Sequence, residues 1–179
     1  MRYESIADIY SANARVRERF LNVVNSIAAN EAATVAEGEK WPVGQIVEHV
    51  SIVDNSMLRI CTKLVNEARE AAKQSDGSFH LTDEFKGKFF GAADIKIEAP
   101  ERVHPTGSIS ISDSLARLET TSAAIDELRS ALELFDGTDH TFPHPHFGNL
   151  TAAEWLVVRG GHENRHADQI ERVLQKIRK

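Results

Sequence analysis

Apolar residues recur with a helical period in four segments of this chain. In the first, Ile6, Ile9, Val16, Phe20, Val23 and Ile27 share one stripe, while Arg15, Arg17, Glu18 and Arg19 fall mostly off it. That spacing predicts a helix from about Glu4 to Ala29, and Glu37-Gly38-Glu39 then breaks the pattern. The second helix is predicted to open at Trp41-Pro42, because proline at a first helical position gives up no needed N–H. Ile46, Val50, Val53, Met57, Ile60 and Leu64 follow in steps of four and three, the spacing of a bundle seam. This helix should end near Lys73, ahead of Ser75-Asp76-Gly77-Ser78.

The third helix is expected from Ser112-Asp113, with Leu115, Leu118, Ile125, Leu128, Leu132 and Phe135 inward, and Asp136-Gly137 ends it. The fourth begins at Thr151-Ala152-Ala153-Glu154, a capping box in which hydroxyl and carboxylate each satisfy an orphan backbone donor. Its stripe is Trp155, Val158, His162, His166, Gln169, Val173 and Ile177. Residues 74–111 differ: they hold several glycines and prolines but also Phe79, Phe85, Phe89 and Phe90. Such a segment reads as a long ordered crossover between helices two and three, a known bundle variant. Ala93 to Ala99 could be extended, although no sheet strand is expected there. The outcome is an all-α four-helix bundle filling residues 1–179 as one domain.

Three members of the fourth stripe are not apolar, and two of them are histidines. On a wheel of about 100° per residue with Trp155 at zero, His162 falls near −20° and His166 near +20°. Both imidazoles point into the seam, and residues at i and i+4 stand about 5–6 Å apart at Cβ, close enough to grip one ion. On the second helix His49 lies about 60° from Ile46, at the edge of the inward face. Three histidines from two helices would make an open site, with positions left for water or substrate. Burying an unpaired polar group costs about 1–3 kcal/mol, so a seam holding two histidines and Gln169 calls for something that satisfies them. The competing reading is that the histidines are simply packed in the core.

Composition narrows the choice. The chain is 41% hydrophobic and 27% charged with net charge −6, an ordinary globular balance that disfavours binding to nucleic acid. One cysteine, Cys61, excludes an intrachain disulfide and suits a reducing compartment. Met1 to Tyr10 carries Arg2, Glu4 and Asp8 without an apolar run, and no stretch approaches a membrane span, so a cytoplasmic protein is expected.

Three segments together resemble a known family: WPVGQIVEHV (Trp41 to Val50), PHPHFGNLTAAEW (Pro143 to Trp155) and GHENRHADQI (Gly161 to Ile170). Their order and the crossover resemble the DinB-like superfamily of metalloproteins and thiol-transferase relatives. The resemblance implies an up-down-down-up bundle, often homodimeric, with His49, His162 and His166 as ligands of one divalent ion: zinc, nickel, iron or manganese. It also implies a small-molecule substrate, either for metal-dependent hydrolysis or for transfer of a low-molecular-weight thiol. A non-enzymatic metal-binding stress-response homodimer is the alternative. The family's usual Ser or Thr after the tryptophan is Pro42 here, read as a change of cap.

Other residues are weighed around that centre. Gln169 is a candidate partner for a ligand imidazole or bound water. Trp41, His144 and His146 are candidate pocket residues, although the His144-Pro145-His146 loop is expected to be mainly solvated. Gly160-Gly161 inside a helix suggests close approach of a neighbour or room for a ligand. Glu48, about 160° from its seam, and Glu163, about 80° from its own, are assigned no catalytic role. Arg159 and Arg165 could anchor an anion, but are expected to reach toward solvent. Cys61 is read as a small buried residue, with no nucleophilic role.

Overall fold

A computed structural model describes residues 3–91 and 98–179. The predicted helices form in order. Helix α1 spans Ile6–Asn25 and is capped by Ser5, whose hydroxyl accepts the Asp8 N–H at 3.1 Å. Helix α2 spans Val43–Ala71. Pro42 sits one position earlier than expected, as its N-cap in extended geometry. Helix α6 spans Ala152–Ile177, and the capping box of Thr151 and Glu154 is formed in both directions.

The third predicted helix is divided. Helix α4 spans Ile111–Glu127, and a short α5, Arg129–Leu134, follows after a tighter turn at Leu128. The crossover is ordered where described. It contains helix α3, Asp83–Gly91, and a 3₁₀ turn at Glu101–Val103. Most of the stretch Ala93 to Ala99 lies outside the described residues. The segment before α6 forms a two-stranded hairpin, with β1 Phe142–His144 antiparallel to β2 Gly148–Leu150.

The long helices pack α1 on α6, α6 on α2 and α2 on α4. The N–H of Asp136, beyond α5, donates to Lys73 O just past α2, so α2 and α4 run the same way. Lys176 at the end of α6 reaches Glu39 ahead of α2, so α6 runs against α2. Arg17 and Arg19 of α1 meet Glu163 and Glu171 in ascending order, so α1 and α6 are parallel. The bundle is therefore up-down-down-up.

Its core is in two parts. One cluster gathers Ile9, Met57, Leu64, Ile125, Trp155 and Leu156; the other gathers Phe20, Val43, Ile46, Leu118, Ile170 and Val173. Along α6 the first cluster stops at Val158 and the second resumes at Ala167. Along α2 the change falls between Val50 and Val53. The polar residues between those limits form a layer across the bundle, and the layer holds the candidate chemistry.

Candidate metal centre

Seven residues after Trp155 on α6, the seam meets His162, and one turn later His166. Opposite them α2 presents His49, which is 2% exposed. The wheel left His49 at the edge of its face; the tertiary packing turns it fully inward. His162 Nε2 lies 3.3 Å from His49 Nε2 and 3.2 Å from His166 Nε2. One nitrogen from each of the three rings lies within 4.8 Å of the other two.

Hydrogen bonds on the far side of two rings decide what the near side offers. His49 Nδ1 faces the Val103 carbonyl at 2.8 Å. A carbonyl only accepts, so Nδ1 carries the proton and Nε2 keeps its lone pair in the neutral ring. His166 Nδ1 likewise donates to Gln169 Oε1 at 2.9 Å, again leaving Nε2 as a lone pair. Burial pushes all three imidazoles below their ordinary 6.5: His49 down, His162 well down, and His166 to about 3, with the neighbouring rings adding to the effect on His162 and His166. Two neutral rings with inward lone pairs on either side of His162 Nε2 suit a cation at this separation. The donor set therefore fits a borderline ion such as zinc or nickel, with three nitrogens and open positions.

The surroundings separate the other candidates. Trp41 packs against His49 with ring centroids 5.1 Å apart and meets His104 edge-on at 5.5 Å. His144 is half-buried, contrary to a mainly solvated loop. Its ring stacks on Phe147 at 4.5 Å, and its Nδ1 accepts the N–H groups of His146 and Phe147, closing the hairpin turn. Burial lowers it to about 4, and it lies within electrostatic reach of His162. His146 stays exposed at the hairpin tip. Among the described residues no fourth histidine, cysteine or carboxylate joins the cluster.

Both glycines of α6 are places of close approach. A Cβ on Gly160 would collide with Asn13 of α1, and one on Gly161 would stand 2.5 Å from Phe89 Cζ. The crossover helix α3 thus seats an aromatic ring against α6 at Gly161.

Two expectations need correction, for Arg159 and for Glu48. Arg159 does not reach solvent: it is 6% exposed and forks onto both oxygens of Asp54. Glu163 pairs with Arg17, which also meets Asp54 and Ser122. Burial nevertheless raises the Glu163 carboxyl above its ordinary range. Glu48, on the wheel's outer face, is 0% exposed because the crossover covers it. It accepts from Thr106 and Gly107. Both glutamates are thus occupied with other partners. Arg159 gave a usable signal in the sequence, since it falls about 40° from the seam centre. Val103 gave none, because its contribution is a backbone carbonyl.

Residues 12–170 match the DinB superfamily. The chain belongs to that superfamily. Among curated proteins, the uncharacterized protein YuaE of Bacillus subtilis (strain 168) is 23% identical over 144 residues, covering 78% of this chain and 80% of YuaE. Among solved structures, TT2238, a four-helix bundle protein, superposes with a TM-score of 0.63 at 18% identity, over 94% of this chain and 99% of that one. That likeness supports the bundle, and membership in the superfamily places the three histidines in a fold known for metal binding. No helix among the described residues is long and apolar enough to cross a membrane.

Proposed function

We propose that this DinB-superfamily protein is a metal-dependent enzyme whose single divalent ion is held by the Nε2 atoms of His49, His162 and His166. The observation that carries the reading is the hydrogen bond between His49 Nδ1 and Val103 O, which leaves the His49 Nε2 lone pair facing His162, the ring that also meets His166. A divalent ion in such a site supplies Lewis acidity, which makes a water or a thiol nucleophilic near neutral pH. Gln169 holds the His166 ring in its binding orientation. Trp41 flanks the centre with apolar surface, which limits water access and suits a small organic substrate.

Hydrolysis and thiol transfer are both open to such a centre, and they differ in the need for cationic groups. Arg165 bears on both His162 and His166, and Arg172 on His166, as positive charges that depress the imidazoles. Cationic groups beside the centre suit the carboxylates of a low-molecular-weight thiol, whereas hydrolysis needs no such groups. A non-enzymatic structural ion is the weaker reading, because structural sites are usually closed by four protein ligands. The homodimer and the cytoplasmic setting belong to the same proposal, and light scattering in solution tests the first.

The deciding experiment is metal content by mass spectrometry on untagged protein and on His166→Ala. About one ion per chain, lost in the variant, supports the centre and directs assays to thiol and ester substrates. Protein that takes up neither zinc nor nickel sinks it.

A further inference from the structure

Glu48 and His49 are neighbours on α2, and both hold the same piece of crossover. Glu48 Oε1 accepts the Thr106 N–H at 2.9 Å and the Thr106 hydroxyl at 2.7 Å, and Oε2 accepts the Gly107 N–H at 2.8 Å. Three residues earlier in the strap, Val103 O receives the Nδ1 proton of His49 at 2.8 Å. The strap's course here is strained for any residue with a side chain at 107. Gly107 has φ +75, and a Cβ there would stand 2.6 Å from Gln45 Nε2.

A carboxylate on the outer face of α2 is normally solvated. Full burial of Glu48 is tolerated because three donors satisfy it. The same contact fixes the strap at the height of His49. Val103 packs on the core and His104 meets Trp41, and the Glu48 contact adds the hydrogen-bonded tie between α2 and the strap just beyond them. Neutral histidine in water readily exchanges its proton between the two ring nitrogens, so the carbonyl is what selects the metal-ready form.

We infer that Glu48 is a positioning residue of the metal centre: its carboxylate pins the strap at Thr106 and Gly107, so that the Val103 carbonyl holds His49 as the Nδ1–H tautomer with Nε2 turned toward His162 and His166. The inference rests on the three-histidine reading. It differs from simple anchoring of the crossover, because it assigns Glu48 an effect on the ring of a different residue.

The test is Glu48→Gln, an isosteric change that sets an amide N–H₂ against one of the strap's donors. Nitrogen-15 NMR of the histidine rings in metal-free protein reads the tautomer directly. Wild type should show His49 as a single Nδ1–H form, and Glu48→Gln a mixture. Zinc affinity should fall about 10–100-fold, the usual effect of removing an outer partner of a ligand, with one ion per chain still reached at saturation. Gly107→Ala displaces the strap without touching a buried carboxylate. It should move both readouts the same way, and it decides the matter if Glu48→Gln does not fold. Variants that keep the Nδ1–H form and bind zinc within twofold of wild type would overturn the inference, even if they melt earlier. Wild-type protein that binds no zinc would sink the metal centre, while the tautomer comparison in metal-free protein would still decide the clamp.

Discussion

The polar layer across this bundle solves the problem of burial in two different ways. On one side Arg17, Asp54, Arg159 and Glu163 form a network of two cations and two carboxylates, each satisfied by the others and by Ser122. On the other side His49, His162 and His166 bring three like groups together, with outer hydrogen bonds that aim lone pairs inward at His49 and His166. The first set is closed: its charges cancel within the protein. The second, on the proposed reading, takes a cation from outside. Burial by itself therefore does not mark a functional site in this molecule; unmet complementarity does.

The comparison can be broken most forcefully at Asp54. Removing it leaves the Arg159 guanidinium buried without its carboxylate, so Asp54→Ala should cost about 3–5 kcal/mol in chemical denaturation. Its metal stoichiometry should be unchanged under native conditions. In metal-free protein His162→Leu should cost only about 1 kcal/mol, because it removes the contacts of His162 Nε2 with the two neighbouring rings and puts apolar surface in their place. A large loss there would mean that the histidines are mutually satisfied core residues, and the contrast would fail.

Ligand linkage sharpens the same point. Zinc at about 100 times its dissociation constant should stabilise wild type by about 2.7 kcal/mol, and should do nothing for His162→Leu. Thermal melts with and without zinc measure it. A smaller effect is expected where the crossover wedges against α6. Gly161→Ala forces the Phe89 ring aside and should cost about 1–3 kcal/mol by overpacking, partly offset by about 1 kcal/mol of helix propensity. Equilibrium unfolding resolves the balance.

The smallest effect lies at the solvent-exposed end of the bundle. The Arg178 guanidinium beside Glu31 holds that carboxyl near 2, against an ordinary 4.5. A depressed folded value means that the contribution is present above 4.5 and is lost as pH falls toward 2. The end of α6 should fray first over that window, as faster amide exchange near Arg178. Arg178→Ala should show the fast exchange at every pH.

Much of the bundle was legible because helical periodicity is a local property. The capping box at Thr151 and the end of α2 before Ser75 follow from chemistry within a few residues. Proline 42 was misplaced by one position because N-cap and first-turn geometry both accept a residue without an N–H. The third helix was read as continuous because its apolar spacing runs unbroken through Leu128, while the change of turn there is a matter of backbone geometry. The wheel located His162 and His166 because both stand on one helix. It misjudged Glu48 because it assumes that the outer face of a helix meets water, and here a distant segment covers that face.

The amino-acid order by itself determined the four amphipathic helices, their boundaries to within a few residues and the inward pair on α6, since each depends on spacing along one helix. Tertiary structure decided which helix faces that pair, how the strap lies across α2, and which buried charges find partners. Those outcomes depend on contacts between residues as far apart as His49 and His162, or Glu48 and Thr106. A period along the chain carries no information about such distances; only the packed bundle brings those atoms within 3.3 Å and 2.9 Å.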